Sequence, residues 1–331
     1  MKIAIVTPAP RRSRHGNRHT AVRWAALARK MGHRVTVQNA WDGAPVDLMI
    51  ALHARRSHDS MRRYREAYPE RPLVLVLTGT DIYRDIRHDS DAKHSLRIAD
   101  RLVVLQEQAP SELPRALRHK VCVIYQSAQA PGRRKPARSC FEVAVSGHLR
   151  WEKDPFRTAA ALAHLPEQSR IRVLHMGAAM DAAMESEARQ WMTYEPRYRW
   201  LGELSHAGAM RRLARSRLMV ISSRMEGGAN VVAEALMAGV PVIASRISGN
   251  IGMLGRDYAG YFPLEDETAL ARLLWRAESD PSFYRRLEGQ CARRRALFQP
   301  AREARCLQRL LREFASGSAA RERQRQRARR R

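Results

Sequence analysis

Two glutamates, Glu226 and Glu234, stand eight positions apart in SSRMEGGANVVAEALMAGVPVIAS, residues 222–245, with the pair Gly227-Gly228 between them. A carboxylate accepts two hydrogen bonds at once, which suits adjacent hydroxyls such as those of a sugar. Glycines let a ligand approach the backbone closely. The apolar run Leu218–Ser222 reads as a buried strand and Val231–Ala238 as a helix stopped by Gly239. The amides of Gly227, Gly228, Ala229, Asn230 and Val231 would then lie at a helix N-terminus, where unpaired donors and partial positive charge favour an anion. Amides for a phosphate and carboxylates for hydroxyls together describe a nucleotide-sugar site. The plainer alternative is a dipole-favoured Glu234 beside an ordinary glycine loop. The segment is no capping box, since Ala233 occupies the reciprocal position if Asn230 caps.

Two further stretches carry concentrated chemistry. VSGHLRWEKDP, 145–155, follows an apolar run and offers Gly147, His148, Arg150 and Lys153. PRRSRHGNRHTAVRW, 10–24, crowds Arg11, Arg12, Arg14, His15, Arg18 and His19 around Gly16 and Asn17. That junction of loop and helix reads as a second anion site; a merely solvated loop with Asn17 as a helix cap is the alternative. LTGTDIYRD, 77–85, closes another strand and would project Thr78, Gly79, Thr80 and Asp81 toward a ligand, or use them to cap the next segment.

These loops need a scaffold that presents them together. Strands are expected at Lys2–Val6, Arg34–Gln38, Asp47–Leu52, Pro72–Leu77, Arg101–Leu105 and Val121–Tyr125, with a helix over Asn17–Met31 and another near Ala92–Ile98. The alternation restarts at Phe141–Ser146, Ile171–Met176, Tyr198–Leu201, Leu218–Ser222 and Pro241–Ala244. Strands alternating with helices give a parallel sheet covered on both faces, so the fold class is α/β with two doubly wound, Rossmann-like halves. The polar, proline-bearing stretch near residues 130–139 reads as the linker. The expected domains are 1–135, 140–315 with basic C-terminal helices, and a disordered basic tail at 316–331. Doubly wound sheets bind ligands beyond the carboxyl ends of their strands, and every motif above lies there.

Composition narrows the classes. At 331 residues with 44% hydrophobic content the chain can build two cores. No apolar run approaches a membrane span of about 18 residues, and Ile3–Val6 is too short for a secretion signal. Cys122, Cys140, Cys291 and Cys306 form no CxxC pair, which points to reduced thiols and a cytoplasmic location rather than a disulfide framework or zinc site. The net charge is +27, and lysine supplies only six of the 60 cationic residues. A phosphate-carrying partner would explain this, as would a general bias toward arginine.

The segment E-x7-E with EALMAGVPVIAS resembles the donor site of retaining family 4 glycosyltransferases, which have the GT-B fold: two Rossmann-like domains facing across a cleft. The resemblance implies that Glu226 lies by the donor sugar and Glu234 holds the nucleotide ribose. GHLRWEK resembles the family's G-R-L-x-x-E-K, whose arginine and lysine hold the donor diphosphate. Gly147, Leu149, Glu152 and Lys153 match; His148 stands in place of the arginine, so either His148 or Arg150 completes the clamp. No metal and no other cofactor is expected, because cationic side chains and helix ends neutralise the leaving diphosphate.

A narrower resemblance runs through GNRHTAVRWA, LHARRS, LTGTDIYRD, ADRLVVLQ, GHLRWEKDPFR, YRWLGEL, SSRMEGGANVVAEAL and SGNIGMLGRDYAGYF, in that order. Together they are similar to the selenosugar synthases of selenoneine biosynthesis. This implies transfer of a sugar from a UDP-sugar, typically UDP-N-acetylglucosamine, to selenophosphate, with release of UDP and phosphate. Glu226 and Lys153 would be catalytic. Arg14, Gly16, Asn17 and Arg18, with Thr78–Asp81, would hold selenophosphate, an anionic nucleophile that needs positioning more than a base. Two rivals remain: a family 4 transferase acting on a lipid or polysaccharide, and a basic nucleic-acid-binding protein. The first would favour an exposed Trp/Phe/Leu face near the first loop, which the sequence lacks. The second lacks recognisable RRM, KH or helix-turn-helix signatures.

Overall fold

The computed structural model describes the chain except residues 11–15, 130–131, 133–134, 137–138 and 330–331, and over 316–329 it describes the backbone alone. Arg11, Arg12, Arg14 and His15 therefore lie outside the described residues. The chain forms two compact units, Met1–Gln126 with Pro300–Arg331, and Ser127–Gln299.

The first unit holds β1 (Lys2–Val6), β2 (Arg34–Gln38), β3 (Leu48–Leu52), β4 (Leu73–Val76), β5 (Arg101–Val104) and β6 (Val121–Val123). They form one parallel sheet in the order β2-β1-β3-β4-β5-β6. Successive side chains of a strand point to opposite faces, and here both faces are buried. Ile3 and Ile5 pack with Trp24, Ala25 and Ala28 of the helix Gly16–Lys30. Ala4 and Val6 pack on the other face with Met61, Tyr64 and Leu96. The order reverses between β1 and β3, so the loops leaving those two strands flank the unit's ligand-binding crevice.

The second unit holds β7 (Phe141–Ser146), β8 (Ile171–Met176), β9 (Tyr198–Trp200), β10 (Leu218–Ile221), β11 (Val242–Ser245) and β12 (Tyr261–Phe262). Their order, β12-β11-β10-β7-β8-β9, is also parallel throughout. Numbered within the unit this is 6-5-4-1-2-3, the dinucleotide-fold order, with its switch point between β7 and β10. The expected strands all form, four with the expected ends and the others within two residues of them; the two-residue β12 had no recognisable pattern.

The end of the chain departs from expectation. Helix Pro300–Arg329 belongs to the first unit, where Leu307, Leu310 and Leu311 join the Trp24 face. Glu303, 1% exposed, accepts from Trp24 Nε1 at 2.7 Å and from Arg23 Nε at 3.1 Å. The stretch 316–329, expected to be disordered, continues this helix. Its Ala, Arg, Gln and Glu residues are strong helix formers, which outweighs its high charge. The sequence places residues 300–315 with the second domain because they follow it in the chain, and chain order does not say which unit a terminal helix packs on.

Glu303→Ala would leave the fully buried Trp24 indole N–H without its acceptor. Thermal or urea unfolding should show a loss of about 2–4 kcal/mol. Deletion of residues 316–331, which add nothing to this contact, should change stability by less than about 0.5 kcal/mol.

Candidate functional site

The two loops at the switch point of the second sheet, residues 147–156 after β7 and 222–229 after β10, are bonded to each other along their length. Ser222 Oγ donates to the carbonyls of Lys153 at 3.2 Å and Asp154 at 2.8 Å. The Arg224 amide donates to Glu152 O at 2.9 Å, and its guanidinium reaches Trp151 O at 2.7 Å and Asp154 Oδ1 at 3.2 Å. Asp154 holds a left-handed backbone, φ 45°, which costs a non-glycine residue about 1–3 kcal/mol unless its surroundings fix it. Arg157 and Arg224 do so by gripping its carboxylate.

This framework brings Lys153 and Glu226 together. Lys153 Nζ lies 2.5 Å from Glu226 Oε1, and Ser223 Oγ donates to the same oxygen at 2.6 Å. The Glu226 side chain is 9% exposed and that of Lys153 20%. Behind Glu226 passes the helix Ser248–Leu254. A Cβ on Gly249 would stand 2.0 Å from Glu226 O and 2.8 Å from Glu226 Cβ, so only glycine fits.

Gly227, Gly228 and Ala229 lead into the helix Asn230–Ala238, which begins one residue earlier than expected. Its N-cap is Ala229, and no side chain caps it, so Asn230 is a first-turn residue and not the cap. Val232 and Ala233 donate back to Ala229 O. The amides before them, on Asn230 and Val231, have no intrahelical acceptor, the kind of helix end that suits an anion. Glu234 follows in the same helix, 17% exposed at its side chain, with Oε1 3.0 Å from His206 Nε2. The hydrogen bond to Glu234 raises the His206 pKa.

The loop after β7 has its own support. His148 Nδ1 accepts from the Ala178 amide at 3.1 Å, which places the proton of a neutral ring on Nε2. His148 thus fastens the loop through Nδ1. The Arg150 Nε is buried without a hydrogen-bond partner, and buried donors in native proteins are seldom unpaired. Under Gly147 lies His175, 1% exposed. Its Nε2 is 3.2 Å from Gly147 O and its Nδ1 2.9 Å from the Tyr198 hydroxyl. Because Gly147 O only accepts, Nε2 carries the proton and Tyr198 donates to Nδ1. Burial drives the His175 pKa down to about 4. Gly177 completes the contact, since a Cβ there would fall 1.9 Å from Gly147 O.

In the first unit the expected acceptor residues divide. Helix Gly16–Lys30 starts at Gly16, so Asn17 lies inside the first turn. Arg18 Nη1 is buried without a hydrogen-bond partner. Thr78, Gly79 and Thr80 are part-exposed at the end of β4. Asp81 does not project toward a ligand. It is fully buried and accepts from the amides of Thr78, Gly79, Ile82 and Ala54 at 2.7–3.2 Å. A carboxylate that would otherwise lack solvent organises the backbone instead, tying the loop after β4 to the loop after β3. Thr80 Oγ1 meets His53 Nε2 at 3.2 Å. His53 has a left-handed backbone, φ 77°, and burial lowers its pKa.

The sequence did not single out Ser222, Ser223, Arg224, Asp154, His175, His206 or Gly249. Arg224 and Asp154 sit inside motifs that were quoted, and their pairing depends on tertiary contact. Gly249, in SGNIG, had a signal that spacing alone could not interpret. Two surface hollows of this unit, one lined by Leu236, Gly239, Cys291 and Arg295 and the other by Cys140, Arg170, Arg217 and Tyr284, contain none of the site residues. Among the described residues no group of three or more His, Cys, Asp or Glu could hold a metal ion, and no helix is long and apolar enough to cross a membrane.

Gly249→Ala should push the Glu226 loop out of place and lower stability by about 1–3 kcal/mol in urea unfolding. His175 gives a pH signature. With a folded pKa of about 4 against an ordinary 6.5, its contribution is complete above pH 6.5 and is lost as pH falls from 6.5 to 4. Urea unfolding should show His175→Gln losing this dependence, a difference on the order of 3 kcal/mol across the window.

The fold has counterparts among known proteins. Residues 136–295 match the family model of glycosyl transferases group 1, a little under half of the chain. No curated protein matches the chain. Sucrose-phosphate synthase from Thermosynechococcus elongatus is similar in structure, with TM-score 0.75 and 16% identity, over 96% of this chain and 99% of that one. Anabaena HepE, in a complex with UDP and glucose, gives TM-score 0.72 and 17% identity over 96% and 100%. A glycosyltransferase from Rickettsia africae gives 0.72 and 12% over 95% and 98%. The chain therefore has the GT-B fold, and the part that resembles the glycosyl transferases group 1 model lies within its second unit.

Proposed function

We propose that this protein is a UDP-sugar-dependent glycosyltransferase whose donor site is the switch point of the second unit. One observation carries the reading: an uncapped helix N-terminus, Lys153, Arg150 and two carboxylates are gathered by loops that also fall within the group 1 glycosyl transferase match. The Asn230 and Val231 amides, with Lys153 and Arg150, would neutralise the departing diphosphate. Charge stabilisation of that kind, from fixed dipoles and cations, typically supplies the largest part of such catalysis. Glu226, steadied by Ser223, would orient the donor sugar, and Glu234 would accept from the ribose hydroxyls. Metal is not assigned a part, so turnover should persist in EDTA.

The comparisons favour a hydroxyl acceptor, on a carbohydrate or lipid, as family 4 transferases use. UDP and glucose occupy the HepE structure. A second reading, selenophosphate as acceptor with UDP-N-acetylglucosamine as donor, has support of a different kind: the ordered sequence segments given above, and the unpartnered Arg18 Nη1 in the first unit. In that reaction selenium would attack the anomeric carbon, the bond to the UDP oxygen would break, and water would then cleave P–Se to release phosphate. A hydroxyl acceptor must lose its proton as it attacks, whereas selenophosphate is already charged.

Incubation with a panel of UDP-sugars and either acceptor class, followed by UDP release and mass spectrometry, tests both levels. UDP release with a hydroxyl acceptor alone supports the first reading, and a selenium-bearing sugar supports the second. No UDP release from any pairing would overturn the transferase assignment. Lys153→Ala should lower kcat at least a hundredfold while leaving the unfolding curve within about 1 kcal/mol of the parent.

A further inference from the structure

Glu234 reads in the sequence as a residue for hydroxyls, and its partner His206 comes from a different helix. A carboxylate at a helix N-terminus can adopt several rotamers, and a vicinal diol needs both oxygens in one plane at one orientation. In the structure that orientation is fixed from outside the helix. His206, the first residue of the helix His206–Leu213, reaches Glu234 Oε1 with Nε2 at 3.0 Å. Ser205 caps that helix by accepting from the Gly208 amide at 3.1 Å, which sets where His206 begins. The His206 side chain is 63% exposed, so burial does not hold it. The hydrogen bond to Glu234 does, and it raises the histidine's pKa.

We propose that His206 is a positioning residue for the nucleotide, holding Glu234 so that it accepts from the 2′ and 3′ hydroxyls of the ribose together. This rests on the donor-site reading above. One lone pair of Oε1 takes the imidazole N–H. The second lone pair of Oε1 and those of Oε2 stay available, which suffices for two hydroxyl donors. The carboxylate is thereby preorganised, so binding does not have to freeze its rotamer. Preorganisation acts most where both hydroxyls must be met at once. It therefore governs the choice of ribose over deoxyribose more than overall nucleotide affinity.

Calorimetric titration with UDP and with 2′-deoxy-UDP reads this directly. Wild type should prefer UDP about tenfold or more, the worth of one hydrogen bond to a charged group. In His206→Ala the preference should fall to about threefold or less, with 2′-deoxy-UDP affinity changing little. His206→Gln, which keeps an N–H donor, should recover most of the preference. Because the side chain is exposed, neither variant should alter the unfolding curve. A preference in His206→Ala within twofold of wild type would overturn the inference while leaving the donor site standing. Failure of wild type to bind UDP at all would overturn both.

Discussion

The loops after β7 and β10 are held to one another where the strand order of the second sheet reverses, and the site depends on that tie. Ser222 bonds to two carbonyls of the opposite loop, Arg224 to two more and to Asp154. The result is a fixed separation between the part of the chain that carries Lys153 and the part that carries Glu226 and the uncapped helix end. Parallel sheets make such a place available, because strands leaving on either side of the switch point open a gap at their carboxyl ends. Here the gap is bridged by hydrogen bonds to backbone carbonyls, and these keep their geometry better than contacts between long side chains would.

The paired carboxylates make sense in that frame. In a chain with 27 excess positive charges, a glutamate can find an arginine almost anywhere. Glu226 is instead matched to a single lysine and a serine hydroxyl, and Glu234 to a histidine. Neither is neutralised by a bidentate guanidinium, which would occupy both oxygens. Both keep acceptor capacity for hydroxyls while the neighbouring amides remain open to an anion. Elsewhere in the same unit arginine does form multiple contacts with carboxylates, as Arg197 does with Glu195 and Arg157 with Asp154 and Glu267. Those pairs fasten structure.

Much of this was legible in the residues. Buried parallel strands are continuous apolar runs, so Leu218–Ile221 and Ile171–Met176 announce themselves, and the loop that follows each is then known. Lys153, Glu226 and the helix beginning near residue 230 are therefore legible as lying in loops at the carboxyl ends of strands. Distances across the gap were not legible, because they depend on which strands become neighbours: β10 lies beside β7 although some 70 residues separate them. The same limit hid Gly249 and His206, whose partners come from other elements. Asp81 shows the opposite failure. A polar residue at the end of a strand looks like a ligand contact, yet its carboxylate is spent on four backbone amides. Polarity in the sequence does not tell whether a side chain serves a ligand or its own loop. The helix Pro300–Arg329 is a related case, since its place in the chain beside the second unit does not show that Leu307, Leu310 and Leu311 pack on the first.

A crystal structure of the protein with UDP bound tests the central assignment most directly. The account predicts the diphosphate on the amides at the start of helix Asn230–Ala238 with Lys153 and Arg150 turned toward it, and the ribose hydroxyls on Glu234. UDP found at another place on the chain, with these loops unchanged and unoccupied, would contradict it.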